Sequence, residues 1–265
     1  MQTAMVAFPR LAGVHGARKA GRALKNAVSV FAASRGDIMG DKSTLDKTSV
    51  EAQVMDRLYK NGTFDFTRTN DMAATARGAH HIAEYGTTRG AGTRAWNAAV
   101  ETGAKFITAS ERFNRQVTGL AAAKLEMAAN PQQATETIEK FIERITNVAD
   151  RAVYDSHYDY SQSNKPVNMQ SPLGALATQF MQYQLNTLSM MGKDISDAIG
   201  KGDPAKKESA RNTIAWMLGM QLTFAGAAGT VIAPLVFAAM DALRDDEDLV
   251  DSRTRFMRHS NSLLS

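Results

Sequence analysis

The side chains best suited to metal binding are few and widely separated along this chain. Its histidines are His15, His80, His81, His157 and His259. Because His81 and Glu84 lie about one helical turn apart, they could place two metal ligands on one face of a helix. A zinc site needs at least three protein ligands, and no third candidate lies nearby in the sequence. We therefore predict no metal site.

The residue types that carry covalent or nucleotide chemistry are also missing or wrongly spaced. The chain has no cysteine, which excludes disulfides, thiolate zinc sites and a cysteine nucleophile. Gly86, Gly90 and Gly92 have neither the preceding strand nor the spacing of a phosphate-binding loop. No paired carboxylates stand in an apolar setting that would raise a pKa for acid–base catalysis. The sequence thus predicts no catalytic residue and no cofactor, and so a protein that is not an enzyme.

The first 36 residues carry positive charge and no acidic residue. A basic amphipathic helix of this kind can lie on anionic lipid or on DNA phosphates. The alternative is a solvated helix face that pairs with acidic neighbours in an assembly. An acidic cluster, 245–251, lies near the other end of the chain. We assign DNA or lipid contact to Arg10, Arg18, Lys19, Arg22 and Lys25.

Residues 212–240 form a long segment without any charged residue. Crossing a bilayer takes about 20 predominantly apolar residues, so the length suffices. Three interpretations remain open: a segment buried in one state and inserted in another, a soluble core hairpin, and a permanent membrane helix. We assign membrane or oligomer contact to Trp216, Leu218, Gly219, Phe224, Gly226, Gly229, Pro234 and Phe237.

The elements that must position these residues are predicted to be helices. Few β-branched runs alternate with polar residues, so the signal for strands is nearly absent. Hydrophobic residues make up 44% of the chain, enough for a folded core. We predict an all-α fold, an elongated array of helices with a flexible glycine joint and an apolar C-terminal hairpin.

Capping residues and prolines mark where these helices should begin and end. We predict a first helical region over 3–33 and a helix over 45–60 that ends at Asn61-Gly62. Thr108 to Glu111 fits a capping box, which predicts a break between a helix over 93–107 and one that runs to Ala129. The remaining predicted starts are Asn130-Pro131, Ser171-Pro172 and Asp203-Pro204.

The same pattern indicates three parts of the chain. Residues 1–85 form a basic helical region, and residues 86–92 form the glycine-rich joint. Residues 93–265 form a C-terminal helical domain that contains the apolar segment 212–240.

Several segments of the second half occur in an order typical of one protein family. They are Ser110-Glu111-Arg112-Phe113-Asn114-Arg115, Asp159-Tyr160-Ser161, Lys165-Pro166, Ser171-Pro172-Leu173-Gly174, Gln179-Phe180, Gln182-Tyr183 and Asp245-Asp246-Glu247-Asp248. Over about residues 90–260 the chain resembles the C-terminal helical region of large phage and prophage polyvalent proteins, the group with the PLxRFG-type domain. Ala175-Leu176-Ala177 stand where that type has Arg-Phe-Gly.

The resemblance implies an internal virion (ejection) protein of a short-tailed phage. Such a protein would be a structural component of the core or of the trans-envelope conduit for genome delivery. Its expected partners are further copies of itself, other internal virion proteins, the portal, packaged DNA and the host membrane. It would lie in the virion interior and, after ejection, in the host cell envelope. The alternatives are a nucleic-acid-binding accessory protein and a helical tether of a larger phage protein.

Overall fold

A computed structural model describes residues 3–36, 38, 43–64, 91–157, 181–201 and 203–225. The described residues form seven α-helices and one π-helical turn, with no β-strand among them. The predicted all-α class is therefore confirmed. The chain divides into two compact units, residues 1–183 and 184–265.

The first unit is built around one long helix. Its elements are a π-helical turn (Thr3–Ala7), α1 (Phe8–His15), α2 (Ala17–Ala33), α3 (Val50–Lys60), α4 (Ala91–Ala129) and α5 (Ile138–Ser156). Helices α2, α3 and α5 all pack against α4. Residues 116–123 of α4 are buried on every side of the helix, which makes this stretch the centre of the unit.

The core around α4 combines large side chains from its neighbours with small ones on α4 itself. Leu120 of α4 shares a hydrophobic cluster with Leu24 of α2, Met55 of α3 and Ile145 of α5. The run Ala121 to Ala123 is fully buried, and its small side chains let the neighbouring helices approach closely. Each large apolar side chain removed from water in this way contributes about 1.5–3 kcal/mol.

Helix α5 buries the apolar stripe that its sequence predicts. Phe141, Ile142, Ile145 and Ala149 lie in the core, at the three- and four-residue spacing of one helix face. Ile138, the first residue of the helix, remains 40% exposed. The stripe is thus confirmed except at its N-terminal end.

One helical region of the sequence analysis is confirmed, and one predicted helix boundary is not. The predicted helical region over 3–33 is confirmed: it contains the π-helical turn, α1 and α2, and Gly16, with φ +83°, separates α1 from α2. The predicted break at Thr108 is wrong, because α4 runs from Ala91 to Ala129 without interruption. Glu111 forms an ion pair with Arg115 one turn later at 3.1 Å. The capping-box sequence thus lies inside a helix, and its glutamate pairs with an arginine side chain instead of capping a helix start.

Helix α3 begins later than predicted and ends where predicted. Its N-cap is Ser49, whose hydroxyl accepts a hydrogen bond from the Ala52 N–H at 3.2 Å. Lys60 is the last helical residue, and Gly62 follows with φ +76°, the left-handed conformation that glycine adopts at helix ends.

The predicted helix start at Pro131 is wrong as well, since α5 begins at Ile138 after a loop. Thr137 is the N-cap and accepts the Lys140 N–H at 3.4 Å. Arg144 holds this loop: its guanidinium donates to both carboxylate oxygens of Glu136, at 3.0 and 3.1 Å, and to the Asn130 carbonyl at 3.1 Å. Its hydrogen bonds to Glu136 raise the pKa of Arg144 and lower that of the glutamate.

The second unit contains α6 (Met181–Ile199), which begins just before the division between the units, and α7 (Pro204–Ala225). Met191 of α6 and Met217 of α7 are buried in one small cluster. The predicted start at Asp203-Pro204 is confirmed: the Asp203 carboxylate accepts the Ala205 N–H at 3.0 Å. The first part of the predicted apolar hairpin is thus a single helix, whereas residues 226–240 lie outside the described residues.

Candidate functional site

The basic face of α2 is the first candidate site. Ala20, Leu24 and Ala27 point into the core and fix the orientation of the helix. Arg18, Lys19, Arg22 and Lys25 are consequently exposed, and none of the four forms an ion pair with another described residue. We call these four residues the basic face. It has four exposed cations within two helical turns, and residues 1–36 contain no acid that could compensate their charge.

Arg10, the fifth predicted contact residue, lies in a different environment. Its side chain is only 18% exposed, and Nη1 lies 3.8 Å from a carboxylate oxygen of Asp155 on α5. Arg10 therefore ties α1 to α5, and its charge is partly neutralised inside the unit. Sequence reasoning grouped it with the other four because its acidic neighbour is distant along the chain.

The second candidate site is a group of three exposed apolar side chains on α7, which lie on different sides of the helix and which we call the apolar surface. Trp216, Leu222 and Phe224 are 39%, 51% and 53% exposed, although water is a poor environment for such large side chains. Gly219 is exposed, and a Cβ atom placed on it would meet nothing within 4 Å among the described residues. Leu218 is half-buried and packs against the cluster of Met191 and Met217.

The other predicted contact residues, Gly226, Gly229, Pro234 and Phe237, lie outside the described residues. Helix α6 adds two exposed apolar side chains to the second unit, Ile195 and Ile199. Over the described residues, no helix combines the length and apolarity that a membrane crossing requires. The predicted glycine joint is only partly covered: Ala91 and Gly92 belong to α4, and residues 86–90 lie outside the described residues.

A buried polar cluster at the junction of α4 and α5 was missed by sequence reasoning. Glu111, Arg115 and Thr118 share one face of α4, and His157 caps the end of α5. The His157 Nε2 atom lies 3.0 Å from the Thr118 hydroxyl. Arg115 also donates to the Thr63 carbonyl at 3.1 Å and so fixes the chain that follows α3. The spacing i, i+4, i+7 on α4 could have indicated the cluster.

The protonation state of His157 follows from this environment. Burial, with a smaller contribution from the nearby Arg115 cation, lowers the pKa of His157 to about 3. The neutral ring forms no ion pair with Glu111, although Nδ1 lies only 3.8 Å from a carboxylate oxygen. The side chain is fully enclosed, and its contact with Thr118 joins the end of α5 to α4.

Within the described parts of the chain, no three histidine or carboxylate side chains are close enough to hold a metal ion. Comparison of the sequence and the structure with protein-family models, curated proteins and solved structures found no match.

Proposed function

We propose that this protein is an internal virion (ejection) protein of a phage, a non-enzymatic structural component of the core or of the conduit for genome delivery. The observation that carries the proposal is that each unit offers an exposed surface with a different chemistry. The first unit has the basic face of α2, and the second has the apolar surface of α7. A component that meets DNA and also associates with other chains or with lipid needs both.

The basic face would meet packaged DNA. Four exposed cations on one rigid helix can neutralise several neighbouring phosphates and release the counterions condensed there. Such contacts are independent of base sequence, as expected for a protein that touches a genome at many places. The balance of 31 Lys and Arg against 27 Asp and Glu favours this limited contact over a dedicated DNA-binding role.

The apolar surface would form the contact between copies of the protein and with neighbouring virion proteins, and with the host membrane after ejection. Three large side chains of one helix stand in water in the isolated unit, and covering them would supply association energy. In this proposal the whole segment 212–240 takes part, the glycine-rich stretch 86–92 acts as a joint, and the helices form an elongated array.

The same basic face also favours a second candidate, a nucleic-acid-binding accessory protein that does not enter the virion. Both candidates predict DNA binding that falls steeply with salt, so binding alone does not separate them. They differ in location, because only an ejection protein is packaged and leaves the particle with the genome.

The DNA contact is tested by fluorescence anisotropy with a labelled 30-base-pair duplex at several salt concentrations. The test variant carries Arg18→Gln, Lys19→Gln, Arg22→Gln and Lys25→Gln. The matched control carries Lys140→Gln, Arg151→Gln, Lys201→Gln and Lys206→Gln, which removes the same charge from exposed sites elsewhere. We expect the test variant to lose at least tenfold in affinity and the control to lose much less. Equal losses would contradict a defined DNA-binding face.

A further inference from the structure

A cleft lies beside α3, on the side of this helix that faces away from the core. It is formed by Ile38, Ser43, Leu45 and Lys47 on one wall and by α3 on the other, and its volume is about 610 Å³. Clefts of this size are typical of sites for small organic ligands. No function assigned above uses this cleft.

The frame of the cleft is held by a dense set of hydrogen bonds. Asp46 accepts from the Thr48 N–H at 2.9 Å and from the Thr48 hydroxyl at 2.8 Å. Gln53 of α3 donates to the Thr48 carbonyl at 3.1 Å, which ties this turn to the helix. On the opposite side of α3, Val54, Met55 and Leu58 are fully buried in the core. The helix wall and the turn 46–48 are therefore held in place before any ligand arrives, which reduces the entropic cost of binding.

The charges that line the cleft are unequal. Among the described lining residues, Lys47, Arg57 and Lys60 are cations and Asp56 is the only acid. Asp56 already pairs with Lys60 at 2.6 Å, one turn apart on α3. Lys47 and Arg57 form no ion pair with any described residue. The described lining thus has two cations in excess, which favours an anion.

The remaining lining determines what else the ligand must contain. Half-buried Leu45 and Ala52 supply a small apolar wall next to the two cations, whereas Ile38, only 1% exposed, belongs to the core. An arginine fork and a lysine ammonium are the two side chains that proteins use most often for phosphate groups. A flat apolar group attached to a phosphate would cover the apolar wall while its charge meets Lys47 and Arg57.

We propose that this cleft binds a phosphate ester of nucleotide size, with Lys47 and Arg57 on the phosphate and the base against Leu45 and Ala52. The phosphate ester has two sources, a free nucleotide and a nucleotide unit of DNA. This site shares no residue with the basic face of α2. A negative result for the cleft would therefore leave the proposed function unaffected, and the reverse also holds.

The test is isothermal titration calorimetry of the full chain with three probes. The probes are ATP, inorganic phosphate and a single-stranded oligonucleotide. We expect ATP or the oligonucleotide to bind with a Kd below about 1 mM, and inorganic phosphate to bind more weakly because it lacks the base. Tighter binding of ATP identifies a free nucleotide as the source. Tighter binding of the oligonucleotide identifies DNA if Lys47→Gln with Arg57→Gln weakens it, because the basic face of α2 is intact in that variant.

Two variants separate a shaped site from general charge attraction. Lys47→Gln with Arg57→Gln removes the excess charge, and Ala52→Leu fills the cleft without changing any charge. Each should weaken binding at least tenfold, whereas the control Lys140→Gln with Arg151→Gln should change it less than twofold. Absence of binding to all three probes would overturn the proposal. Equal loss in the control, or unchanged binding by Ala52→Leu, would overturn it as well.

Discussion

The Nε2 atom of His157 lies 3.0 Å from the hydroxyl of Thr118, in a place that water does not reach. This contact joins the end of α5 to the centre of α4, next to the ion pair of Glu111 and Arg115. A neutral imidazole satisfies the Thr118 hydroxyl, whereas an imidazolium would be a buried charge beside the Arg115 cation. The junction of the two helices therefore depends on the protonation state of one histidine.

The first prediction is a loss of stability in mild acid. In the unfolded chain His157 has the ordinary pKa near 6.5, whereas in the folded chain its pKa is about 3. Between these values the unfolded state binds more protons, so the free energy of unfolding falls as the pH falls from about 6.5. The slope from this residue is at most about 1.4 kcal/mol per pH unit.

Urea unfolding at pH 7, 6 and 5 measures this effect. The His157→Gln variant should be less stable at pH 7 and should lose less stability between pH 6.5 and 5 than the original chain. His15→Gln is the comparison, since burial lowers the pKa of half-buried His15 as well, but without a shift as large as that of His157. An unchanged slope in His157→Gln would show that other groups cause the acid sensitivity.

The second prediction concerns the close approach of α3 and α4. A Cβ atom on Gly119 would lie 3.3 Å from the Phe64 ring and 3.4 Å from Leu58. Gly119→Val should therefore overpack the core and lower the free energy of unfolding by about 1–3 kcal/mol. Gly119→Ala should be close to neutral, because better helix propensity of about 1 kcal/mol offsets the tight contact. Thermal unfolding, monitored by circular dichroism, measures the stability of both variants. Equal stabilities of Gly119→Val and Gly119→Ala would contradict the close packing at this position.

Whether an element of this structure could be predicted from the sequence depends on how far apart along the chain the interacting residues lie. The stripe of α5, the cap at Asp203 and the end of α3 at Lys60 were predicted because each depends on residues within a few positions. The capping box at Thr108 was misread because its glutamate pairs with Arg115 instead. The break at Gly16 was missed because a single glycine inside an apolar pattern is compatible with either outcome.

The candidate sites show the same limit. Exposure of Arg18, Lys19 and Arg22 follows from the local helix pattern, since the opposite face is apolar. The partner of Arg10 could not be predicted, because Asp155 lies far away along the chain. The cluster around His157 likewise depends on a long-range contact between α4 and α5.

The third prediction separates Arg10 from the basic face. Arg22→Gln removes an exposed cation and should reduce the slope of log affinity against log salt by up to about 0.9, the value for one phosphate contact. Arg10→Gln removes a cation that faces Asp155, so it should change this slope less and should lower stability more. DNA-binding titrations and urea unfolding of the two variants give both quantities. The opposite pattern would place Arg10 in the DNA-binding surface.

The fourth prediction concerns the apolar surface of α7. Leu222→Gln with Phe224→Gln should weaken self-association and flotation with anionic liposomes, because both side chains are about half exposed. The stability of the isolated chain should change little for the same reason. Val14→Gln with Tyr154→Gln, which alters exposed apolar residues of the first unit, is the control. Sedimentation velocity measures self-association, and liposome flotation measures membrane binding. Equal effects of the two double substitutions on these quantities would contradict the assignment.

The most direct test of the central claim is peptide mapping by mass spectrometry of purified phage particles, before and after triggered DNA release. We predict that peptides of this chain are present in full particles and are lost together with the genome. Their retention in the emptied shell would show a fixed structural component and would contradict ejection. Their absence from full particles would contradict the virion assignment as a whole.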